Sequence, residues 1–180
     1  MPERAIVEDP SPRVVAAYRA AEARMAGVPI LNPRLAVEAV GFRRWSGHWL
    51  GALVTPWCIN VVLLPDDPQA WKPPPPGDKR LLAFPAGPYE FISGRDALLG
   101  EHQSLSLFSP VLEFEDQNAA RIAALAALDA LFDEAHFEER EVVRAAEEAQ
   151  AAALAAPMTK REFLRGHTLN APGPQGKGET

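Results

Sequence analysis

The apolar positions of this chain follow two different periods, and the switch between them sets out its parts. Val14, Val15, Tyr18, Ala21 and Met25 recur at helical spacing down to Gly27, which predicts an amphipathic helix stopped by glycine. Ser11-Pro12 predicts its start, a hydroxyl to cap free N–H groups and a ring already at helical φ. Asn32-Pro33 turns the chain, and from Leu35 the period becomes two. Leu35, Val37, Ala39 and Phe42 then share a strand face, with Gly41 to Arg44 as its end. A second strand starts near Trp45. Read as one extended run, it places Trp45, Gly47, Trp49, Gly51, Leu53 and Thr55 on a single face, with room over the glycines for another element. Pro56 donates no ladder hydrogen bond, so the chain must bulge, turn or lie at an edge there. Cys58 to Leu64 is apolar on both parities except for Asn60, the pattern of a strand covered on both sides. A buried Asn60 needs a partner, since an unpaired group costs roughly 1–3 kcal/mol; the expectation is that it ties a neighbouring loop.

Asp66 to Arg80 reads as a loop, stiffened by polyproline geometry at Pro73–Pro76. Trp71, just before the prolines, is either that loop's anchor or an exposed contact. Leu82 and Phe84 share a face, Pro85 to Pro88 turns, Tyr89 and Phe91 resume the alternation, and Ser93-Gly94 predicts another turn. From His102 to Ser109, Leu105 and Leu107 point inward and Ser104 and Ser106 outward. After Asp116 the period is helical again, with Ile122, Leu125, Leu128 and Phe132 as the apolar stripe. Glu134 to Ala156 is alanine-rich and charged, a solvated helix in which Arg144 is placed to meet Glu141, Glu147 and Glu148. The fold class this implies is α+β: an antiparallel sheet of about five strands packed with an N-terminal helix and C-terminal helices. Residues 1–10 read as a flexible arm, 11–166 as one domain and 167–180 as a disordered tail.

Composition narrows the function. A net charge of −6 and a pI near 5.3 argue against a nucleic-acid groove or a membrane-surface patch, which need clustered positive charge. One cysteine, Cys58, excludes an internal disulfide and a Cys-rich metal site. No run approaches the ~20 apolar residues of a membrane span, and no leader opens the chain, so a cytoplasmic location is expected.

Candidate chemistry is sparse. His48, His102, His136 and His167 lie far apart and in no metal-binding spacing. No glycine-rich phosphate loop follows a strand, and no nucleophile elbow is present. The expectation is a protein with no catalytic residues, no metal and no cofactor. Cys58, inside an apolar run, should have a raised pKa; it reads as structural, with a redox role as the alternative. The tryptophans are the unexplained feature. Trp45, Trp49 and Trp57 surround one strand-turn-strand and Trp71 follows it, more than a core this small requires. Each admits a packing role or a binding role, tryptophan being enriched where interfaces concentrate their energy.

The segment W-S-G-H-W-L-G-A-L-V-T-P-W from Trp45 to Trp57, followed by an apolar run into L-L-P, resembles the [NiFe]-hydrogenase assembly chaperones of the HybE/HupJ type. Trp71 after the acidic loop, S-L-F-S-P at Ser106–Pro110 with Leu105 before it, the alanine-rich helix and F-L-R-G at Phe163–Gly166 fall in the same order, so the resemblance spans about Val14 to Gly166. It implies a non-enzymatic cytoplasmic chaperone whose partners are the large or small subunit precursor of the hydrogenase. The precursor would be held until its metal cofactors are complete, before twin-arginine export. Relatives with an added rubredoxin domain carry paired cysteines; this chain has none. On this reading Trp45, Trp49, Trp57 and Trp71 would meet the client, joined by Arg161 and Phe163. Thr159 to Arg165 resembles a twin-arginine motif with Lys160 in place of the first arginine. Chance similarity, a basic segment docking on the acidic helix, or imitation of a client's signal peptide all fit it. Two alternatives stand beside the chaperone: a redox or oxygen-protection factor using Cys58, and a small-ligand-binding domain with the tryptophan strand lining a pocket.

Overall fold

A two-residue turn folds the tryptophan-rich stretch in half. In the computed structural model, which describes residues 8–155, Ser46 and Gly47 take φ of 49° and 74°. Two successive positive φ values make the tight hairpin turn whose twist matches that of the flanking strands. Strand β1 (Glu38–Trp45) therefore leads directly into β2 (His48–Val54), with Trp45 opposite His48 and Arg44 opposite Trp49. Gly41 to Arg44 do not end β1 as the alternation suggests. Gly41 and Phe42 form a register-shifting bulge between Val40 and Arg43, and pairing resumes at Arg43 and Arg44.

Strands β3 (Ile59–Pro65), β4 (Lys79–Phe84), β5 (Gly87–Asp96) and β6 (Gly100–Phe108) complete a six-stranded sheet in the order β1-β2-β3-β6-β5-β4. Every pairing is antiparallel, with one strand more than the approximate count from sequence. Pro56 falls in the β2–β3 turn, where no ladder bond is asked of it. There the Thr55 hydroxyl accepts from the Cys58 N–H at 2.9 Å and donates to the Cys58 carbonyl at 2.7 Å. Ser93-Gly94 is not a turn: both lie within β5, and the reversal comes after Asp96, whose Oδ1 accepts from the N–H groups of Leu98 and Leu99.

In helix α1 (Ser11–Arg24) the N-cap position falls on Pro10, with no side-chain cap, and Ser11 is the first helical residue, its N–H and hydroxyl both donating to Asp9. Its Val14 and Ala17 cover one face of the sheet, where Leu53, Val62 and Leu64 are buried with Val37. Helix α2 (Gln117–Ala130), capped by Asp116, covers the other face, over Leu50, Ala52, Val54, Val61 and Leu63. Strand β3 is thus covered on both sides, which is why its apolar run ignores parity.

Helix α2 buries Ala120, Ala124 and Leu128, and Leu131 just beyond it, while Ile122 is 59% exposed. The expected stripe through Ile122, Leu125, Leu128 and Phe132 is therefore rotated. Large rings, Trp45, Phe84, Phe91 and Phe132 among them, already pack around this interior, so the helix approaches on its alanine side. Gln117 and Arg121 then tie it to β1: both bond the Glu38 carboxylate, at 2.7 Å each.

The chain divides into two compact units, Met1–Glu138 and Glu139–Thr180. Of the second, the structure describes the later part of helix α3 (Glu134–Ala155). On its surface Arg144 meets Glu141 at 2.7 Å and Glu148 at 3.7 Å, but not Glu147. Val142 and Val143 there are exposed. Among the described residues no helix is long and apolar enough to cross a membrane.

Candidate functional site

The four tryptophans are all partly buried, and the hairpin turn separates them. Residues opposite one another in a ladder share a face, and their neighbours take the other face. Trp45, opposite His48, therefore faces the α2 side, and Trp49, opposite Arg44, faces the α1 side. The single face expected for Trp45 and Trp49 does not form. The space expected over the glycines is also taken: a Cβ on Gly51 would lie 2.2 Å from the Phe42 ring.

Each ring has a different neighbour. Trp45 stacks on Phe84, with centroids 4.2 Å apart, and meets the edge of Phe132. Trp57 stacks on Tyr18 of α1 at 6.4 Å. The Arg44 guanidinium lies over Trp49, 4.6 Å from the ring centroid, a cation–π contact. Trp71 tilts against His48 at 5.8 Å. Arg161, Phe163 and the Thr159–Arg165 segment lie outside the described residues.

Charge gathers at this hairpin end. Arg44 also pairs with Asp66, and the Asp66 N–H donates to the Gly47 carbonyl. The guanidinium thus bridges the aromatic face of β2 and the segment leaving β3. Burial holds the His48 imidazole below the usual histidine range; Arg80 pushes the same way and Asp66 opposes. His48 Nδ1 and Asp66 Oδ1 are buried without a hydrogen-bond partner among the described residues. Half-covered aromatic rings beside charged side chains suit a surface that is completed when something docks on it. Arg44, His48 and Asp66 were not singled out from sequence. Their signal was the Ser46-Gly47 dipeptide: once read as a turn, it places Arg44 opposite Trp49 and aims His48 toward the loop of Trp71.

Cys58 is buried. Burial raises its thiol pKa, against weaker lowering by hydrogen bonds from Thr55 and Asn60. Asn60 therefore sits against the thiol and not on a neighbouring loop, and its Oδ1 lacks a hydrogen-bond partner among the described residues. Tyr18 is pushed up to about 12, by burial first and then by Cys58 and Asp96. Beside Tyr18 opens a cleft of about 230 Å³ lined by Ala17, Ala21, Gly94, Arg95, Asp96 and His102, with no tryptophan in its wall. Among the described residues no group of three His, Cys, Asp or Glu side chains is placed to hold a metal.

The comparisons with known proteins agree with this architecture. Residues 9–166 match the family described as "[NiFe]-hydrogenase assembly, chaperone, HybE". The hydrogenase expression/formation protein HupJ of Bradyrhizobium diazoefficiens is 42% identical over 145 residues, covering 81% of this chain and 80% of that protein. The corresponding HupT of Azotobacter chroococcum is 43% identical over 122 residues, covering 67% and 80%. The solution structure of HybE from Escherichia coli superposes with a TM-score of 0.60 at 24% identity, over 72% of this chain and 81% of that one, a likeness of fold. With most of its length matched by the family and with curated relatives above 40% identity, the chain belongs to the [NiFe]-hydrogenase assembly chaperone family, HybE.

Proposed function

We propose that this protein holds a [NiFe]-hydrogenase subunit precursor, large or small, in the cytoplasm until its cofactors are assembled, before twin-arginine export, and catalyses no reaction itself. The observation that carries this reading is the end of the β1–β2 hairpin. Trp49 under Arg44 and Trp71 against His48 are aromatic rings left half covered on the outside of the sheet. A partner chain wrapped around the hairpin end would finish the burial of both rings. Rings so placed act as anchors, because tryptophan contributes a large buried area with few torsions to freeze. Trp45 and Trp57 hold the frame behind these anchors; Arg161 and Phe163, proposed from sequence as further client contacts, lie outside the described residues. The family membership supplies the class of client, a hydrogenase subunit.

The test is capture from cells producing the hydrogenase, with the large subunit in cofactor-free and cofactor-loaded forms and the small subunit with and without its signal peptide. Preferential recovery of an incomplete precursor is expected. Equal recovery of free and loaded large subunit, with no preference for the signal-bearing small subunit, would remove the checkpoint role, and recovery of neither subunit would remove the holding role.

A further inference from the structure

The cleft beside Tyr18 is built differently from the hairpin end. Helix α1 contributes the small residues Ala17 and Ala21 and the Tyr18 ring, and the β5–β6 hairpin contributes Gly94, Asp96 and His102. Gly94 lies opposite His102, and a Cβ on Gly94 would come within 2.8 Å of His102 Nε2, so a side chain there would displace the imidazole. His102 Nδ1 sits 3.2 Å from the Gly100 carbonyl; when that nitrogen carries the proton and donates, Nε2 is left as an acceptor.

Of the charged side chains lining the cleft, Asp96 alone has no ion-pair partner among the described residues. Arg95 is neutralised by Glu101. Arg13, which does not line the cleft, donates its guanidinium to the carbonyls of Leu98 and Leu99, at 3.3 Å each, and makes no ion pair with Asp96. The Asp96 carboxylate accepts from the Leu98 and Leu99 N–H groups through Oδ1 and pairs with no cation among the described residues. Asp96 and the Tyr18 oxygen therefore offer acceptors, joined by His102 Nε2 when Nδ1 holds the proton, and the Asp96 carboxylate supplies a negative charge without an ion-pair partner. The tyrosine is neutral across the physiological range. At about 230 Å³ the cleft is smaller than the roughly 300–1,000 Å³ typical of whole-ligand pockets. It suits one side chain. Two residues along β5, on the same face as Gly94, Ile92 is 43% exposed.

We propose that this cleft receives a basic side chain, arginine or lysine, from an extended segment of a partner polypeptide, with an apolar residue two positions away packing on Ile92. Alternate side chains of an extended segment lie about 6.8 Å apart, the same step that separates Gly94 from Ile92 on β5. The proposal rests on the reading of this protein as a holder of other chains, and it names a second contact on the α1 face of the sheet.

The test uses the full chain and labelled heptapeptides of serine carrying one arginine and a leucine two places on. Replacing arginine by the isosteric, uncharged citrulline should weaken binding about tenfold or more, as loss of a charge-assisted pair does. Lysine should retain most of the binding. Asp96→Asn keeps an acceptor for the Leu98 and Leu99 N–H groups and should erase the preference for arginine over citrulline. Ala21→Phe fills the cleft and should abolish binding, with unchanged near-UV circular dichroism as the folding control. Ile122→Ala, an exposed position on α2 outside the cleft, should bind as the wild type does. Equal binding of the arginine and citrulline peptides, or an unaltered preference in Asp96→Asn, overturns the proposal; free arginine competing as well as the peptide overturns the polypeptide source. Because these arms contain no hydrogenase subunit, a failed subunit capture with positive peptide results removes the hydrogenase reading and leaves the cleft standing.

Discussion

Trp45, on the edge strand β1, and Phe84, on the opposite edge strand β4, lie ring on ring with centroids 4.2 Å apart and planes 9° from parallel. Five gaps of roughly 4.8 Å would hold the edges of a flat six-stranded sheet ~24 Å apart. The sheet must therefore curl until its two edges share one aromatic cluster. Phe132 closes that cluster edge-on against both rings. Trp45→Ala should cost about 3 kcal/mol, the lower end of the range for removing a packed tryptophan, since its ring is only partly buried. Trp45→Phe should recover most of the loss. Urea unfolding checks both, and an unchanged midpoint in Trp45→Ala would mean that the curl is held elsewhere.

His48 links stability to pH. Its folded-state pKa is depressed, by burial first and then by Arg80, with Asp66 opposing. The unfolded chain, with a histidine pKa near 6.5, therefore takes up a proton more readily than the native state. The contribution is fully present above that value and is lost as pH falls from there through the folded-state value. His48→Phe keeps a ring for Trp71 to meet and removes the titration. The slope of unfolding free energy between about pH 7 and pH 5 should be shallower in this variant than in the wild type. Equal slopes would show that His48 titrates alike in both states.

Cys58 separates the structural reading from the redox one. A buried thiol with a raised pKa reacts through transient opening of its surroundings. Labelling by a thiol reagent at pH 7.5 should be at least ~100-fold slower in the native protein than in urea. Cys58→Ala should leave hydrogenase maturation in air unimpaired. Rapid native labelling together with failure of maturation in air would restore the redox role.

Strand content, the antiparallel sheet, the double burial of β3 and the two flanking helices were legible in the sequence because each is written in the period of its apolar residues. What was not legible has a common cause. Ser46-Gly47, Gly41 and the Ser93-Gly94 pair are short signals whose meaning depends on pairing. Ser46-Gly47 makes a turn, Gly41 a bulge, and Ser93-Gly94 lies within a straight strand. Misreading the first of them placed Trp45 and Trp49 on one face. The rotation of α2 onto Ala120 and Ala124 is similar: a hydrophobic stripe weights large residues, whereas the interior left only enough depth for small ones. The tryptophans were found from composition, but their partners Arg44, His48 and Asp66 become visible only with the register.

Trp71 carries the sharpest test of the hairpin end. It lies in the loop between β3 and β4, outside both buried clusters, and the ring contact resolved for it is with His48. Trp71→Ala should therefore change stability by no more than about 1 kcal/mol, as befits a half-covered loop residue. If the ring is an anchor, the same change should weaken capture of the hydrogenase precursor about 30-fold, the equivalent of roughly 2 kcal/mol. Trp49→Ala should weaken capture as well, with a larger stability cost, because Trp49 also packs against the α1-side core and under Arg44. Trp45→Ala loses stability first and capture only in proportion to unfolding. Affinity measured alongside unfolding for the three variants distinguishes these cases. Undiminished capture by Trp71→Ala would reduce that ring to a cover for His48, and its loss would then appear as an altered pH slope instead of an altered affinity.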